Sequence, residues 1–349
     1  MPLPATTENA RRVVVADDSR LMRRMLSDAL GRQGFTVVGA ATDGDEALAL
    51  CRTHRPDALT LDLHMPGLDG LGVLRALRDG KADPVPVVVV SAFSPAHGAY
   101  AVDALAEGAF DLVAKPTIGE GMETFTSELG RKVAEAAQAS RARPRATLRA
   151  ARRPAPVALR RNTTGTVVLI ASSTGGPRAL AELVPALPAP LGAGGLLVQH
   201  MPPGFTASLA TRLDGASALS VREARTGDAI DPGALLVAPG GKHLRLADDR
   251  RLRLADDAPA GGLKPRADFT IADAARLFGR RVLLVVMTGM GKDGLEGAIA
   301  VKQAGGRVLA EAESTCTVYG MPRAVVDAGL ADAVLPLDQL AGAVAEALR

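Results

Sequence analysis

Short apolar runs rich in valine and leucine alternate with helix-like segments along most of this 349-residue chain. In the first third of the chain the runs cover residues 12–16, 36–41, 58–61, 85–90 and 110–114. Beyond residue 163 they cover residues 166–170, 195–199, 234–237, 281–287, 306–310 and 333–335. Runs of this kind are typical of strands buried on both faces, and their alternation with helices predicts parallel sheets covered by helices on both sides. The predicted fold class is α/β, with two doubly wound, Rossmann-like domains.

The segment between the two sets of runs has a different composition. Residues 141–161 contain eight arginines and no aspartate or glutamate, although the formal net charge of the whole chain is only +3. The segment is rich in alanine and proline and lacks a periodic apolar face, which predicts a flexible, self-repelling connector. A contact with nucleic acid or anionic lipid is the alternative, but no aromatic residues are interleaved with the arginines, so we do not expect nucleic-acid binding. The predicted boundaries are 10–130 for the first domain, 131–163 for the linker and 164–349 for the second domain.

Several classes of protein are excluded by the composition. No apolar run approaches the roughly 18 residues of a membrane-spanning helix, and the N-terminus lacks the basic start and apolar core of a secretory signal. Cys51 and Cys316, the two cysteines, lie far apart in the chain. Free thiols of this kind are typical of a reducing compartment, so we expect a cytoplasmic protein.

Polar and charged residues follow the strands of the first domain. Asp17 and Asp18 follow the first strand, Asp62 follows the third, Ser91 ends the fourth and Lys115 follows the fifth. These positions meet at the carboxyl edge of a parallel sheet. Two unit charges about 4 Å apart repel by about 4 kcal/mol at an effective dielectric of about 20, so three carboxylates need a cation, and Mg²⁺ suits an all-oxygen site. The alternative, a helix N-cap formed by the first two acids, does not account for all five groups together.

Residues 12–120 resemble a response-regulator receiver domain, which has a flavodoxin-like fold. The matching motifs are Val-Val-Ala-Asp17-Asp18-Ser, Leu-Asp62-Leu-His-Met-Pro-Gly-Leu-Asp-Gly, Val-Val-Ser91-Ala and Val-Ala-Lys115-Pro. The resemblance implies that Asp62 accepts a phosphoryl group from a histidine kinase. It also implies a Mg²⁺ site made of Asp17, Asp18 and Asp62.

Three further roles are implied by the receiver resemblance. The main-chain carbonyl of His64 would help to hold Mg²⁺, and Ser91 and Lys115 would bind the phosphoryl oxygens. The family often has an aromatic residue three positions before the lysine, where this chain has Leu112. The signalling role usually given to that aromatic residue is therefore not implied here.

In the second domain a cluster of hydroxyl side chains follows the strand at 167–170, in the sequence Ser172-Ser173-Thr174-Gly-Gly. A sharp strand-to-helix turn of this kind exposes a hydroxyl and points helix N–H groups at developing negative charge, although it can equally be a helix cap or a phosphate cradle. His200 and Asp293 follow two other strands of the same predicted sheet. Serine, histidine and aspartate at neighbouring strand ends can form a nucleophile, a base and a group that orients the base. The alternatives are a surface histidine and a helix cap, and the coincidence of all three favours catalysis.

Residues 166–349 resemble the catalytic domain of the chemotaxis protein-glutamate methylesterase family. The motifs that carry the resemblance are Ser173-Thr-Gly-Gly, Val-Gln-His200-Met-Pro-Pro-Gly-Phe-Thr, Val-Ala-Pro-Gly-Gly-Lys-His-Leu, Met-Thr-Gly-Met290-Gly-Lys-Asp293-Gly and Val-Tyr-Gly-Met-Pro. The resemblance implies the triad Ser173, His200 and Asp293, with Ser173 chosen over Ser172 because it directly precedes Thr-Gly-Gly. It implies an oxyanion site made by the main-chain N–H groups of Met290 and Thr174.

The two resemblances together imply a cytoplasmic, phosphorylation-activated carboxylic ester hydrolase. Its substrates would be glutamyl methyl esters of methyl-accepting chemotaxis receptors, and its phosphodonor the chemotaxis histidine kinase. Glutamine deamidation is the implied second activity, and the ester hydrolysis would require no metal. The unphosphorylated receiver would cover the Ser173 crevice, and a phosphoryl group, with about −1.5 to −2 charges, would weaken that contact.

The chain departs from the methylesterase family at two places. Ala171-Ser172 stands where the family usually has Gly-Ala, and Arg266 replaces a common serine after Pro265. His243, in one of the matching motifs, is a second histidine that we expect to serve packing. Two other functions are the alternatives: a receiver fused to a catalytically idle binding module, or a DNA-binding regulator that uses residues 141–161. The absence of a segment typical of a helix-turn-helix domain disfavours the second.

Overall fold

The computed structural model describes residues 11–80, 85–92, 95–116, 121–142 and 165–349. They form two compact units, one within residues 1–147 and the other within residues 148–349. Each unit is an α/β structure built around a parallel sheet, as predicted. Within the described part of the chain, no helix has both the length and the apolar character needed to cross a bilayer.

The first unit contains a five-stranded parallel sheet with the strand order β2-β1-β3-β4-β5. Its strands are β1 Arg12–Ala16, β2 Thr36–Ala41, β3 Ala58–Leu61, β4 Val87–Ser91 and β5 Asp111–Ala114. Its helices are α1 Arg20–Arg32, α2 Gly44–His54, α3 Gly70–Arg78, α4 Pro95–Ala106 and α5 Met122–Ala142. The strand order changes direction between β1 and β3, and this is the point where doubly wound sheets bind ligands at their carboxyl edge.

The last helix of this unit runs past residue 130, the predicted end of the first domain. Residues 131–142, predicted to start the linker, are helical and belong to α5. Val133, Ala136 and Ala137 in this stretch are fully buried, so burial of an apolar stripe extends the helix. The remaining linker residues, 143–163, lie outside the described part of the chain.

The second unit contains a seven-stranded parallel sheet with the order β14-β13-β12-β6-β7-β9-β8. Its strands are β6 Val167–Ser172, β7 Gly194–Gln199, β8 Ser220–Glu223, β9 Ala234–Val237, β12 Val282–Val286, β13 Arg307–Glu311 and β14 Ala333–Leu335, while β10 His243–Leu246 and β11 Leu252–Ala255 form a separate antiparallel pair. Its helices are α6 Gly176–Leu183, α7 Phe205–Asp214, α8 Ala267–Phe278, α9 Leu295–Gln303, α10 Met321–Asp327 and α11 Leu337–Ala347.

The central strands β12, β6 and β7 position the predicted catalytic residues. In their register Val286 pairs with Ala171, and Ser172 pairs with Gln199. The loops that follow these three strands therefore leave the sheet side by side at its carboxyl edge. Ser173, His200 and Asp293 all lie in these loops.

Candidate active site and phosphoacceptor site

The Ser173 turn is held against the loop that follows β12. The Ser173 amide donates a hydrogen bond to the Thr288 carbonyl at 3.0 Å, and the Gly176 amide donates to the Ser173 carbonyl at 2.7 Å. Gly175 has a φ of +78°, and a Cβ there would lie 2.4 Å from the Thr317 side chain. Only glycine fits this position, because both the backbone angle and the space exclude a side chain. The turn delivers Ser173, which is half-buried, to the start of α6.

The Gln199 side chain fixes the serine turn to the histidine loop. Its amide nitrogen donates to the carbonyls of Ser173 at 2.9 Å and His200 at 3.1 Å. Its amide oxygen accepts a hydrogen bond from the buried Ser172 hydroxyl at 2.7 Å. A Cβ on Gly176 would lie 2.0 Å from that oxygen, so glycine makes room for the amide. One side chain thus ties the ends of β6 and β7 together.

His200 and Asp293 form a buried pair. The Nε2 atom of His200 lies 2.7 Å from Oδ2 of Asp293, and the two side chains are 9% and 1% exposed. Because a carboxylate accepts the Nε2 proton, the neutral imidazole carries its lone pair on Nδ1. Nδ1 is buried and has no hydrogen-bond partner among the described residues, the Ser173 hydroxyl included. Catalytic hydrogen bonds are often long in a free enzyme and tighten when substrate binds.

The Asp293 carboxylate also caps α8. It accepts hydrogen bonds from the amides of Ala267 at 2.6 Å and Asp268 at 3.0 Å. Burial alone would raise the pKa of Asp293, but the hydrogen bond from His200 and those from the two amides outweigh burial and lower the pKa below its usual range. Asp293 is therefore held ionised, which is the state that orients an imidazole.

Asp268 makes the reciprocal cap on α9. Its Oδ1 accepts hydrogen bonds from the amides of Gly294 at 2.8 Å and Gly297 at 2.9 Å. Arg266 lies beside both acids, with Nη2 at 2.9 Å from Oδ2 of Asp268 and Nε at 3.7 Å from Oδ1 of Asp293. Burial and the Asp293 charge raise the pKa of Asp268, and the guanidinium offsets the repulsion between the two carboxylates.

The segment with Met290 packs directly against the serine turn. A Cβ on Gly289 would lie 2.7 Å from Cβ of Ser173. The Gly289 carbonyl accepts hydrogen bonds from the amides of Gly320 at 3.1 Å and Met321 at 2.8 Å. The Met290 amide forms no hydrogen bond with the described residues, and its side chain is 42% exposed. This amide is thus without a partner in the described part of the chain and is a candidate oxyanion donor.

His243 has a packing role. It is fully buried, its Nε2 lies 3.3 Å from the carbonyl of Ala258, and its ring packs edge-on against Phe269 at 5.0 Å between centroids.

In the first unit the acidic residues converge as predicted. Carboxylate oxygens of Asp17, Asp18 and Asp62 lie within 4.8 Å of one another. The Lys115 ammonium lies 2.7 Å from Oδ2 of Asp17 and 2.6 Å from Oδ2 of Asp62. Burial, together with the charge on Asp62, raises the pKa of Asp17 against the lowering effect of Lys115. The single ammonium of Lys115 offsets only part of the charge of three carboxylates, and their oxygens are the donor set that Mg²⁺ prefers, so the residues fit the ion.

The remaining receiver residues surround the cluster. Ser91 is fully buried, and its carbonyl accepts a hydrogen bond from the Lys115 amide at 2.8 Å, so the ends of β4 and β5 are joined. The His64 amide lies 3.4 Å from Oδ1 of Asp62. Leu112, where the receiver family often has an aromatic residue, is only 1% exposed and belongs to the core.

Comparisons with known proteins match a family model to a large part of each unit. The family model of the CheB methylesterase matches residues 168–344, and that of the response regulator receiver domain matches residues 13–126. The chain belongs to the CheB methylesterase family.

Relatives of this family match the chain over nearly its full length. A protein of Symbiobacterium thermophilum named protein-glutamate methylesterase/protein-glutamine glutaminase is 45% identical, over 97% of each chain. A protein of Pseudomonas aeruginosa, named protein-glutamate methylesterase/protein-glutamine glutaminase 2, is 42% identical over 95% of each. The crystal structure of the Thermotoga maritima CheB methylesterase catalytic domain matches with a TM-score of 0.51 and 45% identity, covering 52% of this chain and 98% of that one. The predicted family and fold class are confirmed.

The departures from the CheB family pattern have visible contacts. The hydroxyl of Ser172 is bonded to Gln199, and Arg266 neutralises the Asp268–Asp293 pair. Gln199 and Asp268 were not predicted as parts of the site. Gln199 stands next to His200 in the motif, which is a usable signal, whereas the cap made by Asp268 depends on the meeting of two helices and leaves none.

Proposed function

We propose that this chain is a phosphorylation-activated protein-glutamate methylesterase that hydrolyses γ-glutamyl methyl esters of chemotaxis receptors. The observation that carries the proposal is the buried His200–Asp293 pair at 2.7 Å, whose free Nδ1 belongs to a loop fixed by Gln199 to the Ser173 turn. A nucleophile, a base and an orienting carboxylate are the groups that ester hydrolysis by acyl transfer requires.

The Ser173 hydroxyl attacks the ester carbonyl, and Nδ1 of His200 takes its proton. The carbonyl electrons move to the oxygen, where the amides of Met290 and Thr174 donate hydrogen bonds. Such donors lower the barrier by about 3–4 kcal/mol each in other enzymes. When the oxyanion collapses, the C–O bond to the methoxy group breaks, and His200 returns the proton to give methanol.

Water completes the cycle by the same route. His200 accepts a proton from water as the hydroxide oxygen attacks the acyl-enzyme, and it then returns the proton to Ser173. The product is a glutamate side chain. Glutamine amides react in the same way with ammonia as the leaving group, so the chain also acts as a protein-glutamine glutaminase.

The first unit regulates this reaction. Asp62 accepts the phosphoryl group of the chemotaxis histidine kinase, and Ser91 and Lys115 bind its oxygens. Asp17, Asp18 and Asp62, with the main-chain carbonyl of His64, would hold Mg²⁺, which would supply positive charge beside the phosphoryl oxygens. The kinase and the methylated part of the receptors would both be in the cytoplasm, so we propose that the protein is cytoplasmic.

The proposal is tested by the release of methanol from membranes that carry methylated receptors. The wild-type chain releases methanol, and Ser173→Ala does not. Release by the Ser173→Ala chain at the wild-type rate, or no release by the folded wild-type chain with a phosphodonor present, contradicts the proposal. The second result favours an idle binding module.

A further inference from the structure

A buried carboxylate that the proposed reaction does not use lies at the end of β13. The Glu311 side chain is 0% exposed, and no lysine, arginine or histidine pairs with it among the described residues. Burial raises the pKa of this carboxyl against the lowering effect of its hydrogen bonds. Burial without a positively charged partner is unfavourable for a carboxylate. We therefore infer the role of Glu311 from the hydrogen bonds that its side chain accepts.

Both carboxylate oxygens accept hydrogen bonds from loops at the edge of the crevice. Oε2 accepts from the Thr288 amide at 2.8 Å, and Oε1 accepts from the Thr315 hydroxyl at 3.0 Å. The Thr288 carbonyl in turn accepts a hydrogen bond from the Ser173 amide at 3.0 Å. The Thr288 hydroxyl donates a hydrogen bond to the Thr174 carbonyl at 2.9 Å. A single residue, Thr288, therefore links Glu311 to the serine turn through hydrogen bonds.

The position of Glu311 follows from the end of the sheet. The β12–β13 ladder ends with Val286 opposite Ala310, and the amide of Ala312, the residue that follows β13, donates to the Leu335 carbonyl of β14. No main-chain carbonyl of β13 accepts the Thr288 amide, and the Glu311 side chain does so. The carboxylate thus extends the sheet by one hydrogen bond beyond its last pair.

We propose that Glu311 is a positioning residue of the esterase site, which aims the peptide at 288–290 so that the Met290 amide faces the oxyanion. The inference rests on the proposed function. Glu311 touches no substrate atom. Loss of its hydrogen bond leaves the buried Thr288 amide unsatisfied, and the peptide rotates to find a partner. A shift of about 1 Å in a catalytic group can cost about 10²-fold in rate.

The test compares three variants of the full chain by kcat and KM for methanol release. Glu311→Gln keeps an oxygen for the Thr288 amide, and its NH₂ group donates to the Thr315 hydroxyl, which still donates to the Ala312 carbonyl. We expect its kcat within about threefold of wild type. Glu311→Asp keeps the charge but is one methylene too short, and Glu311→Ala has no acceptor. For both we expect kcat to fall about 10- to 100-fold with KM within about twofold.

Asp332→Ala is the matched control. Its carboxylate accepts a hydrogen bond from the Val308 amide at 2.7 Å, at the opposite end of the same strand. This control loses stability but keeps the wild-type kcat.

Three results overturn the role of Glu311: a wild-type kcat for Glu311→Asp, an equal loss for Glu311→Gln and Glu311→Asp, or an equal loss for Asp332→Ala. Glu311→Asp keeps the test decisive if Glu311→Ala does not fold. Full activity of Ser173→Ala in the same assay contradicts the proposed function instead, so the two failures are distinguishable.

Discussion

Adjacent serines at the end of β6 differ in what their hydroxyls contact. The Ser172 hydroxyl is buried and bonded to Gln199 at 2.7 Å, whereas the Ser173 hydroxyl forms no hydrogen bond with the described residues. The first is committed to structure, and the second is free to react. Alanine substitutions at Ser172 and Ser173 each remove one hydroxyl, so a comparison of the two variants separates the structural role from the catalytic role.

We expect Ser173→Ala to lower kcat for methanol release by at least about 10³-fold, because no other group replaces the nucleophile. Its free energy of unfolding, measured by urea denaturation, stays near that of wild type. Ser172→Ala shows the opposite pattern, with kcat within a few-fold of wild type and a loss of about 1 kcal/mol in stability. Equal kcat losses in both variants contradict the assignment of the nucleophile.

The lowered pKa of Asp293 predicts a pH dependence with a definite sign. An acid whose pKa is depressed on folding stabilises the protein above its unfolded pKa of about 3.9, and this stabilisation is lost as the pH falls towards the folded pKa. We expect the difference in unfolding free energy between wild type and Asp293→Asn to be largest at neutral pH and to shrink below about pH 4. A difference that grows as the pH falls contradicts the assigned direction. At neutral pH the variant loses about 10²- to 10⁴-fold in kcat, since Asn cannot fix the imidazole.

At the scale of elements, the site depends on two helices that cap each other. The Asp293 carboxylate accepts hydrogen bonds from the first two amides of α8. The carboxylate of Asp268, in α8, accepts hydrogen bonds from the amides of Gly294 and Gly297 at the start of α9. Neither helix has a capping side chain at its own N-cap position, where Arg266 and Gly294 stand. The position of Asp293 is thus a property of the pair of helices.

We expect Asp268→Ala to lower the free energy of unfolding by about 1–3 kcal/mol, because it leaves two buried amides without an acceptor. Its kcat falls as well, because the lost hydrogen bond to Gly294 no longer fixes the neighbouring residue Asp293, which orients His200. Asp248→Ala is the control. Its exposed ion pair with Arg276 contributes at most about 1 kcal/mol. Urea denaturation and methanol release measure both, and equal stability losses contradict the capping role.

How far the sequence predicted the fold depends on the kind of strand. The apolar strands β1, β2, β3, β9 and β14 were predicted with their observed bounds, because each is a continuous apolar run in the sequence, although β2 and β14 at the sheet edges are only partly buried. The strands β8, β10 and β11 were not predicted. In the last two, Arg245 and Arg253 alternate with buried leucines, and short alternating runs resemble loops.

The same distinction holds for the site. The positions of Ser173, His200 and Asp293 after neighbouring strands were predicted, because each follows a recognisable strand within a motif, and their catalytic roles stay predictions. Glu311 was not predicted, because its link to the site is a hydrogen bond to Thr288, 23 residues away in sequence. Contacts of that separation depend on the register between strands, which local patterns do not encode.

At the scale of the whole molecule, the proposed phosphoacceptor cluster and the proposed catalytic triad lie in separate units of one chain. The two sites place opposite demands on charge. The cluster of Asp17, Asp18 and Asp62 could hold a cation, whereas the proposed esterase site would present amide donors to an oxyanion. Their chemistry can therefore be blocked separately within the intact chain.

We expect a small-molecule phosphodonor with Mg²⁺ to raise the rate of methanol release several-fold in the wild-type chain, because phosphorylated Asp62 carries about −1.5 to −2 charges. EDTA abolishes this increase and leaves the basal rate. Asp62→Asn shows the basal rate with or without the phosphodonor, while Asp57→Asn, a substitution at the opposite end of β3, responds as wild type does. A basal rate that itself disappears with EDTA contradicts a serine mechanism that runs independently of the receiver's metal. An undiminished response in Asp62→Asn instead moves the phosphoacceptor to another residue, because the increase then cannot depend on the Asp62 carboxylate.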